Sequence, residues 1–317
     1  MRVLVTGGAG FIGSHVVDAL VREGHDVAVV DDLSMGKRQQ VHPSARFYQV
    51  DIRDRRALED VFRVERPEMV NHHAAQADLR RSMIEPSFDA SVNVIGSLNL
   101  IELSLAYEVR RFINISSGGA VYGEPQHLPV DELHLIRPMS VYGVSKYAVE
   151  QYLRLFDESG LNYAILRYAN VYGPRQNPKG EAGVVAIFSR QMLAGERPTI
   201  FGDGTKTRDY VYVDDIVAAN LLAMANKQAS GRSYNLGLGR EVSDRQIFES
   251  VRRAVGATLE PILASKRPGE IDRICLDASL ARAELRWEPT VPLEEGIART
   301  VAFYRSDGAQ RGKGESH

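Results

Sequence analysis

A chain of 317 residues with 44% apolar and 25% charged side chains has material for one large or two moderate hydrophobic cores. The formal net charge of -2 argues against nucleic acid or an anionic membrane as the main partner, while allowing a local cationic pocket. The one cysteine, Cys275, rules out an intramolecular disulfide and fits a reducing cytoplasm, and no apolar run approaches a membrane span or a signal peptide.

In chain order, Arg2–Val5 reads as a strand and Phe11–Glu23 as an amphipathic helix. Thr6-Gly7-Gly8-Ala9-Gly10-Phe11-Ile12-Gly13 joins them. Gly7, Gly10 and Gly13 therefore follow a strand and open a helix, the setting in which a backbone can approach a pyrophosphate. Their spacing, G-x-x-G-x-x-G, is one residue wider than G-x-G-x-x-G. Asp26–Val30 is a β-branched strand ending at Asp31-Asp32. At that position Asp31 would accept from the adenine ribose hydroxyls and repel a 2′-phosphate, which favours NAD over NADP.

Strand Arg46–Val50 leads to Asp51-Ile52, either a border of the adenine site or, for Asp51, a helix cap. Helix Ala57–Arg63 and strand Met69–His72 follow. His72 and His73 have no acidic or cysteine neighbours in sequence, so they read as structural rather than metal-binding, and no metal is expected. Ala74-Ala75 are small enough for close cofactor approach. After helix Asp89–Ala106, strand Phe112–Ile115 runs into Ser116-Ser117, and helix Val144–Ser159 precedes strand Tyr163–Arg167. Apolar strands alternating with helices predict an α/β fold, a Rossmann-like doubly wound parallel sheet covered on both faces.

Tyr142 and Lys146 stand in Ser140-Val141-Tyr142-Gly143-Val144-Ser145-Lys146. At i and i+4 of a helix they share one face. An ammonium beside a phenol favours the phenolate, pulling a group that ordinarily titrates near ~10 towards working pH and making it a general base. Alone this spacing is unspecific. Beside the glycine turn it points to dehydrogenase-type chemistry.

Beyond Gly173-Pro174 the regularity loosens. Arg175–Ala182 reads as a loop or lid, Gln246–Val255 as a helix, and Pro261–Ile262 and Arg273–Leu276 as parts of a smaller α/β lobe. The expected domains are 1–172 for NAD binding, with 207–238 returning to it, and 173–206 plus 239–305 as the substrate lobe. The polar, Gly-rich residues 306–317 are expected to be a disordered tail.

Assembled, these residues resemble the extended short-chain dehydrogenase/reductase family, and within it the UDP-glucose (UDP-galactose) 4-epimerases. Besides the segments above, the resemblance rests on Asn93, Val121-Tyr122-Gly123, Leu166-Arg167-Tyr168-Ala169-Asn170, Gly202-Asp203-Gly204, Arg208-Asp209-Tyr210 and Arg267-Pro268-Gly269-Glu270, and it extends to about Tyr304. It implies that Tyr142 takes the proton of the sugar 4-hydroxyl and that Lys146 holds the nicotinamide ribose. It also implies that a hydroxyl residue binds the same sugar oxygen. Counting back from Tyr122 puts Gly118 at that hydroxyl position. One inserted glycine moves the role to Ser117, with Ser116 as the alternative.

The resemblance further places Phe11, Ile12, Asp32, Asn93 and Tyr168 near NAD, and Asn170, Arg208, Tyr210, Arg267 and Glu270 around a UDP-sugar. Tyr122 is read as packing on the sheet, and Ile274 falls where relatives vary in bulk near the sugar. A 4,6-dehydratase would need an acid pair after the hydroxyl residue, where Gly118-Gly119 stand; a decarboxylase would need a nearby Glu. A 4-epimerase of UDP-glucuronate or of a UDP-N-acetylhexosamine stays open. Helices Asp89–Ala106 and Val144–Ser159 resemble those that pair in a homodimer of this family.

Overall fold

The structure, a computed structural model, describes residues 1–156, 160–178, 183–267 and 271–314, without the side chains of Lys227 and of residues beyond 307. The chain begins with β1 (Arg2–Thr6), α1 (Phe11–Arg22), β2 (Asp26–Val30), β3 (Arg46–Tyr48), α2 (Arg55–Glu65) and β4 (Met69–His72). Next come α3 (Leu79–Ile84), α4 (Pro86–Ala90), a π turn at Ser91–Ile95, α5 (Gly96–Ala106), β5 (Arg111–Ser117), α6 (Gly118–Val121) and α7 (Val141–Phe156). The second half holds β6 (Tyr163–Tyr168), β7 (Asn170–Tyr172), α8 (Val184–Leu193), β8 (Thr199–Phe201), β9 (Thr207–Arg208), β10 (Tyr210–Tyr212) and α9 (Val213–Ala225). It ends with β11 (Arg232–Leu236), β12 (Val242–Ser243), α10 (Asp244–Val255), β13 (Ile262–Ala264) and α11 (Leu293–Gly314).

Seven strands form one parallel sheet in the order β11-β6-β5-β4-β1-β2-β3. The chain winds outward from β1 to β3, then restarts at β4 on the other side. Its reversal point, where an open α/β sheet leaves a crevice beyond the strand ends, lies between β1 and β4. The period of two along each strand divides the core. Val3, Val5, Val27 and Val29 pack with Val16, Leu20, Ile216 and Ala223 of α1 and α9. Leu4, Ala28, Val30 and Val70 pack instead with Phe62, Ile101, Val149 and Leu153 of α2, α5 and α7.

A third cluster builds the smaller lobe from Phe188, Met192, Ile200, Phe248, Val251, Ile297 and Val301, contributed mainly by α8, α10 and α11. Helix α10 starts with a capping box between Ser243 and Gln246 and ends at Gly256 with φ +78°. Within 207–238, α9 packs on the main sheet and β11 joins it. By contrast β9 and β10 pair with β12 and β7 in two-stranded sheets.

Several elements depart from the sequence reading. The helix over Asp89–Ala106 is broken by the π turn, where buried Asn93 is committed to hydrogen bonds outside the helix. Helix α7 starts at Val141, because Ser140 accepts from Gly143 N at 3.1 Å and from Val144 N at 3.0 Å. Its expected end at Ser159 lies outside the described residues. Helix α11 spans Leu293–Gly314. No helix among the described residues is long and apolar enough to cross a membrane.

Candidate active site

The turn between β1 and α1 lies at the reversal point. Gly7 has φ +69°, and a Cβ there would lie 2.6 Å from the amide nitrogen of Ala74. Turn and β4 loop thus meet backbone to backbone, which needs glycine on one side and small Ala74 and Ala75 on the other. A Cβ at Gly13 would lie 2.3 Å from the Gly7 carbonyl oxygen, so only glycine lets α1 begin this close to the strand. Gly10 caps α1 without a side chain, and the first-turn N–H groups, those of Phe11 and Ile12 included, face outward along the helix axis.

Asp31 sits at the tip of β2, buried. Its Oδ2 accepts from Ala9 N at 3.0 Å and its Oδ1 from Leu33 N at 2.8 Å. Burial raises its pKa, and those two N–H donors oppose the rise. Each oxygen keeps acceptor capacity for one hydroxyl of a ribose diol. Uncapped N–H donors, a carboxylate and a small-residue edge together fit NAD.

The neighbouring acids do other work. Asp32 is exposed and closes a turn on Ser34, at 2.9 Å to N and 2.6 Å to Oγ. Asp51 pairs with Arg53 at 2.5 Å, and the cap of α2 is Asp54, accepting from Ala57 N at 3.0 Å. Ile52 is buried against Gly96 of α5. Asp32 and Asp51, read from the sequence as cofactor contacts, thus also close their own turns, Asp32 through Oδ1 alone.

His72 bonds Thr6 Oγ1 at 2.7 Å and Ser97 Oγ at 2.8 Å, so both ring nitrogens are in structural use. Burial pushes His73 down to about 3, leaving a neutral ring beside Tyr168. Tyr168 in turn accepts from Asn220 Nδ2 at 2.7 Å, which ties its hydroxyl to α9 rather than to the crevice. Asn93 is spent as well: Oδ1 accepts from Gln76 N at 2.8 Å, and Nδ2 reaches Gln76 O, Asp89 Oδ2 and Ser145 Oγ at 2.9, 3.1 and 3.1 Å. It clamps the loop after β4 to α7, behind the crevice edge. Gln76 and Asp89, which complete this network, carry no sequence signal of their own.

Across the crevice, the pleat of β5 separates the two serines. Ser116 donates to Glu150 Oε1 at 2.6 Å. The Ser117 hydroxyl precedes α6 without capping it and lies close enough to Tyr142 to pull the phenol's pKa down. A Cβ at Gly118 would lie 2.4 Å from Leu276 Cδ1, so position 118 has no space for a hydroxyl side chain. On α7, Lys146 Nζ donates to Ile115 O at 2.9 Å and lies 6.0 Å from the Tyr142 ring centroid.

Burial pulls Lys146 down to about 8, against the opposing charges of Asp89 and Glu150. Burial also pushes Tyr142 up to about 12, with the Ser117 hydrogen bond pulling the other way. The expected acidification of the phenol by Lys146 is thus overturned in the free fold, where desolvation is the largest influence on Tyr142 and raises its pKa.

On the lobe side, Asn170 lies near Ser117: a Cβ at Gly119 would find Asn170 Oδ1 at 3.5 Å and Ser117 Oγ at 3.9 Å. Arg208 is half-buried, its Nη1 donating to Thr207 O at 2.7 Å. The Arg267 guanidinium lies over the Phe201 ring, 3.4 Å from its centroid. Tyr210 is buried in the lobe core against Tyr172, not on the crevice wall, because all of β10 is enclosed. Ile274 is likewise core, and Tyr122 is buried as expected, accepting from Arg167 Nη1 at 2.7 Å. Glu270 lies outside the described residues.

A parallel sheet with an uncapped glycine turn at its reversal point, facing a serine at a strand end and a tyrosine with a buried lysine beside it, defines a dinucleotide-dependent enzyme of the Tyr–Lys type. The chain belongs to the NAD dependent epimerase/dehydratase family, whose model matches residues 3–237. It is 45% identical to the UDP-glucose 4-epimerase of Mycolicibacterium smegmatis over 312 residues, 96% of this chain and 99% of that protein. The crystal structure of UDP-glucose 4-epimerase with UDP-glucose from Thermotoga maritima matches with a TM-score of 0.95 and 49% identity, covering 97% of this chain and 99% of that one. The UDP-glucose 4-epimerase of Thermus thermophilus, in complex with NAD, matches with a TM-score of 0.92 and 44% identity, over 96% and 99% of the two chains.

Proposed function

We propose that this protein is a UDP-glucose 4-epimerase, interconverting UDP-glucose and UDP-galactose, with Tyr142, Ser117 and Lys146 as its catalytic residues. The observation that carries the reading is the placing of Tyr142 and Lys146 together on α7, the Lys146 Nζ 6.0 Å from the Tyr142 ring centroid, with Ser117 at the end of β5, opposite the dinucleotide turn. Bound NAD would supply the hydride acceptor for oxidation at C4 of the sugar and the donor for its reduction on the opposite face. Tyr142 takes the proton from the 4-hydroxyl as C4 is oxidised and gives it back after the ketone has turned over. Ser117 donates to, or accepts from, the same oxygen and keeps it within reach of the phenol. Lys146, fixed on the Ile115 carbonyl, supplies positive charge beside the forming phenolate. The turn at Gly7, Gly10 and Gly13 and the α1 N-terminus hold the pyrophosphate of NAD, and Asp31 holds its adenine ribose.

Arg208 and Arg267 hold the UDP diphosphate, with Asn170 between it and the sugar. Residues 118 and 119 are glycines, so no carboxylate follows the hydroxyl residue to eliminate water, and epimerisation needs none. The smaller lobe, 173–206 with 239–305, supplies Arg267 to the nucleotide-sugar site, while Asn170 and Arg208 reach it from the segments 1–172 and 207–238. The working form is a cytoplasmic homodimer, joined through the exposed apolar residues Ile95, Val144, Tyr152 and Leu155 along the π turn and α7.

Purified protein given UDP-galactose and excess NAD should form UDP-glucose. The Tyr142→Phe variant should lose about 10²-fold or more in turnover while still binding NAD. No product from protein that binds NAD would overturn the substrate assignment. Normal turnover by Tyr142→Phe would overturn the catalytic one.

A further inference from the structure

Beneath the crevice a row of polar side chains crosses the core of the sheet. Ser116, Arg167 and Asn235 are register partners on β5, β6 and β11, and each is at most 2% exposed. Register partners share one face of a sheet, and Glu150 of α7 meets this one. Its Oε1 accepts from Ser116 Oγ at 2.6 Å, and its carboxylate takes Arg167 Nε at 3.0 and 3.2 Å and Arg167 Nη2 at 2.5 Å. Arg167 Nη1 donates to the Tyr122 hydroxyl at 2.7 Å, which donates to Asn235 Oδ1 at 2.7 Å. Asn235 Nδ2 ends the chain of bonds on Val130 O at 2.9 Å.

The proposed mechanism uses none of these side chains. A buried network bonded in this way is rigid, but apolar side chains of like volume stabilise a sheet core at least as well as a buried ion pair. The energetics therefore point to a geometric use.

The connectivity shows what is held. Ser116 immediately precedes Ser117, and Tyr122 ends the single turn of α6 that follows it. Between the two grips runs Ser117-Gly118-Gly119-Ala120-Val121. This stretch has adjacent glycines and no side-chain cap, and a Cβ at Gly119 would meet nothing nearer than Asn170 Oδ1 at 3.5 Å. One helical turn of that composition does not hold a single conformation by itself. Tyr142, Lys146 and Glu150 follow one another at i, i+4 and i+8 on α7. Lys146 Nζ takes Ile115 O at 2.9 Å just as Glu150 takes Ser116, so two consecutive residues of β5 dock the helix, and Ser117 is the next.

We propose that the Glu150–Arg167 pair is a positioning device for Ser117. It brackets the glycine-bearing segment at Ser116 and at Tyr122 and so keeps the hydroxyl set against Tyr142. This rests on the catalytic reading of Ser117 and Tyr142 given above. Glu150, Arg167, Ser116 and Tyr122 are positioning residues, acting on the sugar oxygen only through Ser117.

Ser116→Ala and Tyr122→Phe each remove one grip and leave the ion pair in place. In the full chain saturated with NAD, each should lower kcat for UDP-galactose roughly 10-fold, with KM within about threefold of the wild type. Added to Ser117→Ala, neither should lower kcat further, because the group it positions is gone. Losses that persist in full in the Ser117→Ala background, or an unchanged kcat in both single variants, would mean a merely structural network and overturn the proposal. A second measurement needs no turnover. Hydrogen exchange at the amides of Gly118–Val121 should quicken roughly tenfold in either variant, with the amides of α1 unmoved. Unchanged exchange at Gly118–Val121, or equal quickening in α1, would overturn the bracket. Should no UDP-sugar turn over, the substrate reading falls while the exchange measurement still decides whether the segment is held.

Discussion

Asp209 gives the sharpest test of the energetics joining the two parts of the molecule. It lies between β9 and β10, 1% exposed, and its Oδ1 accepts from Leu238 N at 2.9 Å. Its Oδ2 accepts from Gly239 N at 3.0 Å and Leu276 N at 3.1 Å, so one carboxylate ties the segment after β11 to the stretch at Leu276. Burial pushes its pKa up from 3.8 to about 6, against the pull of those three N–H donors. The folded chain therefore keeps a proton here at pH values where the unfolded chain has released it. Stability from this group is fully present below about pH 4 and is lost as pH rises through about 6. At 1.36 kcal/mol per pH unit the span is about 3 kcal/mol.

Asp209→Asn is neutral at every pH, keeps an acceptor for Gly239 and Leu276, and turns an NH2 group towards Leu238 N. That lost acceptor costs about 1–3 kcal/mol at any pH. The destabilisation by Asp209→Asn, measured by urea unfolding at fixed protein concentration, should thus be about 3 kcal/mol larger near pH 4 than near pH 7.5. A pH-independent difference would refute the argument, because it would mean that the buried carboxyl does not titrate out of step with the unfolded chain.

Other outcomes are equally direct. Glu150→Gln strands the Arg167 guanidinium, which is 1% exposed, and should cost about 3–5 kcal/mol in denaturant unfolding, whereas Glu150→Leu with Arg167→Met should recover most of that. Gly13→Ala forces a methyl 2.3 Å from the Gly7 carbonyl oxygen. It should weaken NAD binding in a direct titration and lower the melting temperature. Arg267→Ala, if the guanidinium over Phe201 holds the diphosphate, should raise KM for UDP-galactose by about 10- to 100-fold with little change in kcat.

Where the sequence was legible, a local rule coincided with the tertiary answer. Fully buried parallel strands are continuous apolar runs, so β1, β2, β4 and β6 fall within a residue or so of the expected bounds. Gly7 and Gly13 were readable because their reason is local, a turn with no space for a Cβ. The roles of the acids Asp31, Asp32 and Asp51 were less so. All three end or follow strands, but only the folded turn shows that Asp32 also bonds Ser34 and Asp51 pairs with Arg53. Helical periodicity does not separate an α turn from a π turn, so the break at Ser91–Ile95 was hidden. Helix α8 was hidden too: its apolar face is completed only by α10 and α11, which are distant in sequence. Asp89, Glu150 and Asp209 look in sequence like ordinary surface acids, and their burial is a property of the packed whole.

The Tyr142–Lys146 pair shows why spacing alone misjudges a general base. In water a phenol near ~10 and an ammonium near ~10.4 titrate almost together, so placing them side by side suggests an easy proton exchange. Burial drives them apart, Tyr142 up to about 12 and Lys146 down to about 8, because each charged form loses solvent. At neutral pH both therefore hold their protons, and the resting phenol is not a base. Reaching phenolate at pH 8 from a pKa near 12 takes about 5 kcal/mol. The pull of Ser117 is already counted in that value, so the difference must arrive with bound ligands or be shared with C–H cleavage in one step. A base that becomes strong only in the filled site has a practical consequence. It limits stray proton transfer before the sugar is seated, so that the base acts only where the substrate is bound.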